Sequence, residues 1–288
     1  MPKPISKITH PQGVETGYRK MENISEILKN LPKIEPLSSD DYESRRIEWA
    51  NSRKGNLEGY ECSDCLNRGY KTELVNGVAT ARDCKCLNIR RSLRNIEKSG
   101  LKPIMDEYTF DRYLVKAPWQ DNIKQKAIAF AKDSTGKWFG VLGQTGSGKT
   151  HICTAIAVSL LNGGKETYYM LWSSDIKKLR ATVNEGETHE KEVRRLQSVS
   201  VLYIDDLFKC KKGSEPSDAD VRLAFEILNA RYNAKLVTLI SSEHTIDELS
   251  KIDGAIAGRI NQMGGLYIIN IAHDATRDYR WTPAQLSL

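Results

Sequence analysis

In the second half of the chain, short apolar runs alternate with stretches whose apolar residues recur at helical spacing. The runs 138–142, 167–171, 199–204, 236–241 and 266–271 are too short for buried helices and are rich in β-branched and aromatic residues. Near-continuous apolarity, rather than strict alternation, is the mark of strands covered on both faces. Strands alternating with helical segments predict a three-layer α/β domain with a parallel sheet. Local signals agree: Gly163 and Gly164 should end the first helix of this region, Ser174 should cap the next, and Thr245 with Glu248 reads as a capping box.

The first hundred residues differ, with scattered prolines, many charges and no sustained apolar strand. At 21–31, Ile24, Ile27, Leu28 and Leu31 fall at helical spacing before Pro32. That predicts a short amphipathic helix, packed within its own domain or docked on a partner. The composition shift, near 99–109, divides the chain into an amino-terminal region 1–100, a linker and entry segment 101–134, and a larger domain 135–288. With 288 residues, 40% of them hydrophobic, the chain can bury a substantial core. No apolar run approaches the length of a membrane span, and the first residues have no signal-peptide core, so a cytoplasmic protein without a membrane partner is expected. The net charge of +6 matters only where it clusters. Between 82 and 102, Arg82, Lys85, Arg90, Arg91, Arg94, Lys98 and Lys102 face only Asp83 and Glu97, giving either a solvated helix face or a phosphate-backbone contact.

After the first apolar run comes "GQTGSGKTHI". Gly143, Gln144, Thr145, Gly146, Ser147, Gly148, Lys149, Thr150 and His151 form a phosphate loop leading into a helix, where backbone N–H groups and the helix dipole meet phosphate oxygens. Lys149 is placed for the β- and γ-phosphates and the Thr150 hydroxyl for magnesium, implying ATP and Mg2+ as cofactors. The third run ends in "IDD": Asp205 is expected in the magnesium shell and Asp206 to orient or deprotonate water, so hydrolysis is expected. Farther back, Cys62 and Cys65 lie in "CSDC" and Cys84 and Cys86 in "CKC", with Gly69 and Gly77 available for a hairpin between them. Two such pairs can converge on a tetrahedral Zn2+ within 62–86; unliganded buried cysteines and a redox pair are the alternatives.

Residues 60–280 resemble the DnaC/DnaI family of AAA+ replicative helicase loaders, including phage-encoded members, through "GQTGSGKTH", "LYIDDL", "FEILNARY" and "AGRI". "CSDCLNRGY", "CKC" and "RRSLRNIEKSGL" resemble the zinc-bearing part of such loaders and weigh against the related IstB-like transposition ATPases. The resemblance implies a five-stranded sheet of order 5-1-4-3-2 and an ATP site shared between self-associating subunits. It implies a hexameric DnaB-type helicase and single-stranded DNA as partners, in a bacterial or phage-infected cytoplasm. It places Ser242, with Ser241 a close second, as the γ-phosphate sensor, although Glu243 stands where Asn is common. Arg259 matches the arginine finger and Arg280 the second sensor, while Lys177, Lys178 and Arg180 occupy a place where loaders contact single strands, or simply form a solvated face. The competing functions are an IstB-like transposition or repair ATPase that regulates a recombinase, and an ATP-switched adaptor with negligible turnover.

Overall fold

Alternate residues of the apolar strands separate onto two faces of a sheet, and helices cover both. The structure is a computed structural model describing residues 39–99, 102–211 and 213–280. The chain divides into two units, Met1–Arg46 and Ile47–Leu288. The described part of the first is 39–46, the start of helix α1 (Ser39–Ser52), and the helix expected at 21–31 lies outside the described residues.

The second unit continues with strands β1 (Tyr70–Val75) and β2 (Val78–Asp83), then helices α2 (Cys86–Ser99), α3 (Lys102–Met105) and α4 (Pro118–Lys132). There follow β3 (Trp138–Gly143), α5 (Lys149–Asn162), β4 (Thr167–Leu171), α6 (Trp172–Ala181), α7 (Glu187–Ser198) and β5 (Val201–Asp205). The chain then forms α8 (Asp218–Asn233), β6 (Val237–Ser242), α9 (Ile246–Ile252), α10 (Gly254–Gly264) and β7 (Ile268–Ile271). β1 and β2 are an antiparallel hairpin turning at Asn76 and Gly77, whose φ values of 51° and 79° fit a two-residue turn that only glycine and asparagine enter readily.

The large sheet runs β4-β5-β6-β3-β7 with every pair parallel, which is the expected 5-1-4-3-2 order read from its other edge. Phe139, Val141, Val201, Tyr203, Leu239 and Ile269 enter one core with Phe130 of α4 and Ile152 and Ile156 of α5. Trp138, Leu142, Leu202, Ile204 and Ile240 enter the other with Ile176 of α6, Leu196 of α7, Ile227 of α8 and Ile260 of α10. The period-2 side-chain rule thus produces the three layers.

Caps explain most boundaries. Gly163 and Gly164 close α5, with Gly164 N–H donating to the Leu161 carbonyl and Lys165 N–H to that of Leu160. Thr245 and Glu248 form the expected capping box at α9. Ser174 does not cap: α6 starts at Trp172, and Asp175 reaches back to accept the Leu171 N–H at 3.0 Å, so the helix begins one turn early. Three apolar runs also begin as something other than strand. Val199 closes α7, Leu236 precedes β6 and offers its carbonyl to Trp138 Nε1, and Leu266 lies in a 3-10 turn (Gly265–Tyr267), 82% exposed.

The hairpin leads into α2, which lies along β4, one of the two edge strands of the large sheet. Ser92 Oγ accepts the Thr167 N–H at 2.9 Å, Asn88 Nδ2 donates to the Gly164 carbonyl at 3.2 Å, and Arg91 pairs with Glu166 at 2.9 Å. The cysteine-bearing segment is therefore joined directly to the wall of the α/β core. Among the described residues no helix is long and apolar enough to cross a membrane.

Candidate functional site

The carboxyl ends of β3, β5 and β6 and the amino end of α5 surround a cavity of about 320 Å3. This is the crevice in which open parallel sheets bind ligands. The loop after β3 is folded for phosphate: Gly143 has φ of 99°, and a Cβ there would sit 2.1 Å from the Ile271 carbonyl oxygen, so no other residue fits. Gly148 precedes α5, and Thr145, Gly146, Gly148, Lys149, Thr150 and His151 line the cavity. Gln144 and Ser147 brace the loop instead, Gln144 Oε1 accepting the Asp274 N–H and Ser147 Oγ donating to the Gln144 carbonyl.

Lys149 Nζ donates to the carbonyls of Gly143 (3.0 Å) and Gln144 (2.7 Å). Burial pulls this ammonium down, while Asp206 and Glu243 oppose that pull. Asp205 ends β5 at 3% exposure and accepts four hydrogen bonds, all from hydroxyls. Thr150 Oγ1 donates to Oδ1 at 3.2 Å, Tyr203 OH to Oδ1 at 2.7 Å, Tyr169 OH to Oδ2 at 3.0 Å, and Ser241 Oγ also donates to Oδ1. Burial raises the Asp205 carboxyl above its usual range, and these donors pull it back. Phosphate loop, hydroxyl and carboxylate together are the oxygen-donor set that ATP with magnesium requires, so the residues fit the group.

Asp206 lines the cavity in a left-handed conformation, φ 58°, held by its N–H on Ser241 Oγ at 2.9 Å. Its carboxylate meets Lys209 Nζ at 2.8 Å, and the same ammonium meets Glu243 at 3.0 Å. Burial pushes Glu243 up, but Lys209 outweighs it and holds the carboxyl below its ordinary value. Ser241 and Ser242 are both buried and neither lines the cavity; Ser242 Oγ donates to the Leu207 carbonyl at 2.8 Å, and Glu243 is the wall residue that follows them. Arg280 lines the cavity, whereas Arg259 does not. Arg259 lies on α10 with Nε on Asn229 at 3.0 Å and its guanidinium over the rings of Phe225 and Tyr232.

The rest of the wall escaped the sequence analysis. Tyr108, Arg112, Tyr113 and Leu114 come from the segment ahead of α4, Lys209 follows β5, and Tyr279 arrives from the far end of the described chain. Tyr108 stacks on His151 at 4.7 Å, Tyr113 meets it edge-on at 5.3 Å, and His151 Nε2 lies 2.8 Å from the Thr109 carbonyl. The aromatic run "YTFDRYLV" ahead of α4 was the available signal.

A second cluster joins Cys62, Cys65, Cys84 and Cys86, all buried, with sulfur atoms within 4.8 Å of one another. Gly69 N–H donates to Cys65 Sγ at 3.3 Å, and Asn67 Oδ1 accepts both the Cys62 N–H and Arg90 Nη2. Burial pushes the Cys86 thiol up to about 12, whereas at Cys65 the Gly69 N–H and neighbouring thiols overcome burial and bring it down to about 7. Four convergent sulfurs with an N–H donor in support suit a tetrahedral zinc ion.

Within the basic stretch 82–102, four exposed cations pair with carboxylates and one guanidinium is buried. Arg82 pairs with Glu73, Lys85 with Asp64, Arg91 with Glu166 and Lys102 with Glu97, while Arg90 is buried against Asn67 and the Glu58 carbonyl. On α6, Lys177 is exposed, Lys178 pairs with Asp175 and Arg180 with Asp220.

The model of the family described as IstB-like ATP binding protein matches residues 79–257, more than half of the chain. The uncharacterized protein YqaM of Bacillus subtilis (strain 168) is 31% identical over 204 residues, which cover 67% of this chain and 64% of YqaM. The replicative helicase loader DnaC of Escherichia coli (strain K12) is 23% identical over 199 residues, covering 68% of this chain and 78% of DnaC. Among solved structures, a DnaC helicase loader superposes with a TM-score of 0.51 at 22% identity, over 58% of this chain and 97% of that one, a likeness of fold. With a phosphate loop closed by Gly143, Asp205 facing Thr150 and a 5-1-4-3-2 sheet, the chain is an AAA+ P-loop ATPase and belongs to the IstB-like ATP-binding protein family.

Proposed function

We propose that this ATPase is a helicase loader: a zinc-held amino-terminal module grips a hexameric DnaB-type replicative helicase, and the motor uses ATP to place the ring on single-stranded DNA in the cytoplasm. One observation carries the reading. The four-cysteine cluster is continuous through α2 with the wall of the ATPase core, so a grip on a partner and a change at the nucleotide can act on one body. Similarity to the E. coli loader supports a helicase as that partner. The functional division is 1–100 for helicase and zinc, 101–134 for entry to the motor, and 135–288 for ATP.

Within the motor, Lys149 and the loop N–H groups bind the polyphosphate, and Thr150 and Asp205 hold magnesium. The bound ion supplies charge neutralisation at the β- and γ-phosphates. Asp206 orients the attacking water once it leaves Lys209, and Arg280 serves the phosphates from the cavity wall. The position of Arg259 away from its own cavity supports a role in a neighbour's site, so subunits associate through ATP. Ser241, bonded to both Asp205 and the Asp206 N–H, is better supported than Ser242 as the link between β6 and the reacting groups. Lys177 with its neighbours is the proposed single-strand contact.

The family match favours a second reading, an IstB-like ATPase that regulates a recombinase. Size-exclusion chromatography with a purified DnaB-type hexamer separates the two. Co-elution that is lost on Cys84→Ser/Cys86→Ser substitution is expected. No co-elution with the helicase, together with retention of a recombinase, would overturn helicase loading.

A further inference from the structure

We propose that Tyr169 and Tyr203 are positioning residues for magnesium at the ATP site: their hydroxyls fix the Asp205 carboxylate so that its Oδ2 keeps acceptor capacity for the ion's shell.

The geometry begins with strand register. Tyr169 of β4 lies opposite Tyr203 of β5, so both side chains leave the same face of the sheet, with ring centroids 5.2 Å apart at 64°. Asp205 is two residues beyond Tyr203 and shares that face by the period-2 rule. Both phenols therefore reach one carboxylate, Tyr203 at Oδ1 (2.7 Å) and Tyr169 at Oδ2 (3.0 Å). An ionised carboxylate offers about four acceptor positions. Thr150, Tyr203 and Ser241 crowd Oδ1, whereas among the described residues Tyr169 alone donates to Oδ2. The remaining capacity lies on Oδ2, and its direction is set by Tyr169.

Packing alone would not select these hydroxyls. Tyr169 is 6% exposed and Tyr203 is fully buried, where phenylalanine fills nearly the same volume without a polar atom to satisfy. The carboxylate, 3% exposed, accepts hydrogen bonds from four neutral hydroxyls. Removing one phenol leaves a buried charge under-bonded and free to turn toward Thr150, the other residue assigned to the ion.

The test is fluorescent binding of N-methylanthraniloyl-ATP to the full chain, with saturating magnesium and with EDTA, in wild type, Tyr169→Phe and Tyr203→Phe. Both variants should keep the wild-type affinity in EDTA and lose about tenfold of the magnesium-dependent gain, with a modest fall in melting temperature because the buried carboxylate has lost a donor. The magnesium concentration for half-maximal ATP turnover should rise in parallel. Equal losses with magnesium and with EDTA would make the tyrosines packing residues and overturn the proposal, as would unchanged magnesium-dependent binding in both variants. The proposal rests on ATP with magnesium in this cavity and is independent of helicase loading. A wild type whose affinity does not respond to magnesium would overturn that assignment too, whereas a normal wild-type response retained by the variants rejects only the role of the tyrosines.

Discussion

Arg231→Met tests whether a buried cation without a carboxylate partner among the described residues can be a net support for the motor. Arg231 is fully buried in α8, within the "NARY" motif. Its Nε donates to Thr238 Oγ1 at 3.0 Å, Nη1 to the carbonyls of Leu196 (2.8 Å) and Val199 (2.9 Å), and Nη2 to that of Val237 (2.6 Å). The end of α7, the turn into β5 and the start of β6 are thereby tied to α8. Methionine keeps the length and removes every donor. Hydrogen bonds from a charged donor contribute about 2 kcal/mol each, so four are worth about 8 kcal/mol. Against this, burial pulls the guanidinium down to about 9 from 12.5, which sets the cost of keeping it charged at about 5 kcal/mol. The bonds win by about 3 kcal/mol. Urea unfolding followed by tryptophan fluorescence should show the midpoint falling by about 1 M, taking a slope of about 2–3 kcal/mol/M. An unchanged or higher midpoint would mean that desolvation outweighs the bonds, as it does for some buried ion pairs.

Lys149→Ala should lower ATP affinity by about a hundredfold through loss of a phosphate contact, whereas Asp206→Asn should retain binding and depress hydrolysis; equal loss of both activities in the Asp206 variant would refute this division. Metal analysis of purified protein should find about one zinc per chain, and Cys84→Ser/Cys86→Ser should lose it; full retention would mean the ligand set is wrong. Lys209→Met should leave Asp206 and Glu243 uncompensated on the cavity wall, weakening ATP severalfold more than ADP, and Glu243→Gln in the same chain should restore most of the loss; calorimetry that finds ATP and ADP weakened equally would exclude charge balance as the cause. Arg259→Ala should bind ATP normally yet hydrolyse it poorly in the assembled state, and adding Lys149→Ala subunits should restore turnover; no gain where wild-type subunits associate would return Arg259 to its rings on α8.

Periodicity and punctuation carried the fold. Phe139 and Val141 go to one core and Trp138 and Leu142 to the other because neighbouring residues on a strand face opposite ways, which the apolar run implies. Strand starts were less legible, since apolarity does not say whether a residue lies in a ladder: Val199 is buried as a helix stop, and Leu266 is exposed in a turn. The phosphate loop and the Asp205–Thr150 pairing were readable because each follows from a local spacing or a strand end. Tyr113 and Tyr279 were not, because one precedes the sheet and the other follows it, and only the closed fold brings both to the cavity. Asp205's contact with Tyr169 depends on strand order, which no local pattern contains. The charge run 82–102 was read as a solvated face or a phosphate contact, and its pairing with Asp64, Glu73 and Glu166 from outside the run is what no local pattern contains.

The placement of α2 has a consequence for solubility. β4 is an edge strand, and an unguarded edge offers main-chain donors and acceptors to any similar strand on another molecule. Here Ser92 occupies the first of those donors, at Thr167, and Ser92 belongs to a helix whose opening residue is Cys86. The guard on the strand is thus anchored by the sulfur cluster. We expect chains deprived of zinc to stick to one another edge to edge, and sedimentation after chelation would reveal it; a chain that stayed monodisperse would show that α2 holds its place without the ion. Zinc supply would then limit how much of this ATPase a cell can keep in solution, independently of how well each molecule handles nucleotide.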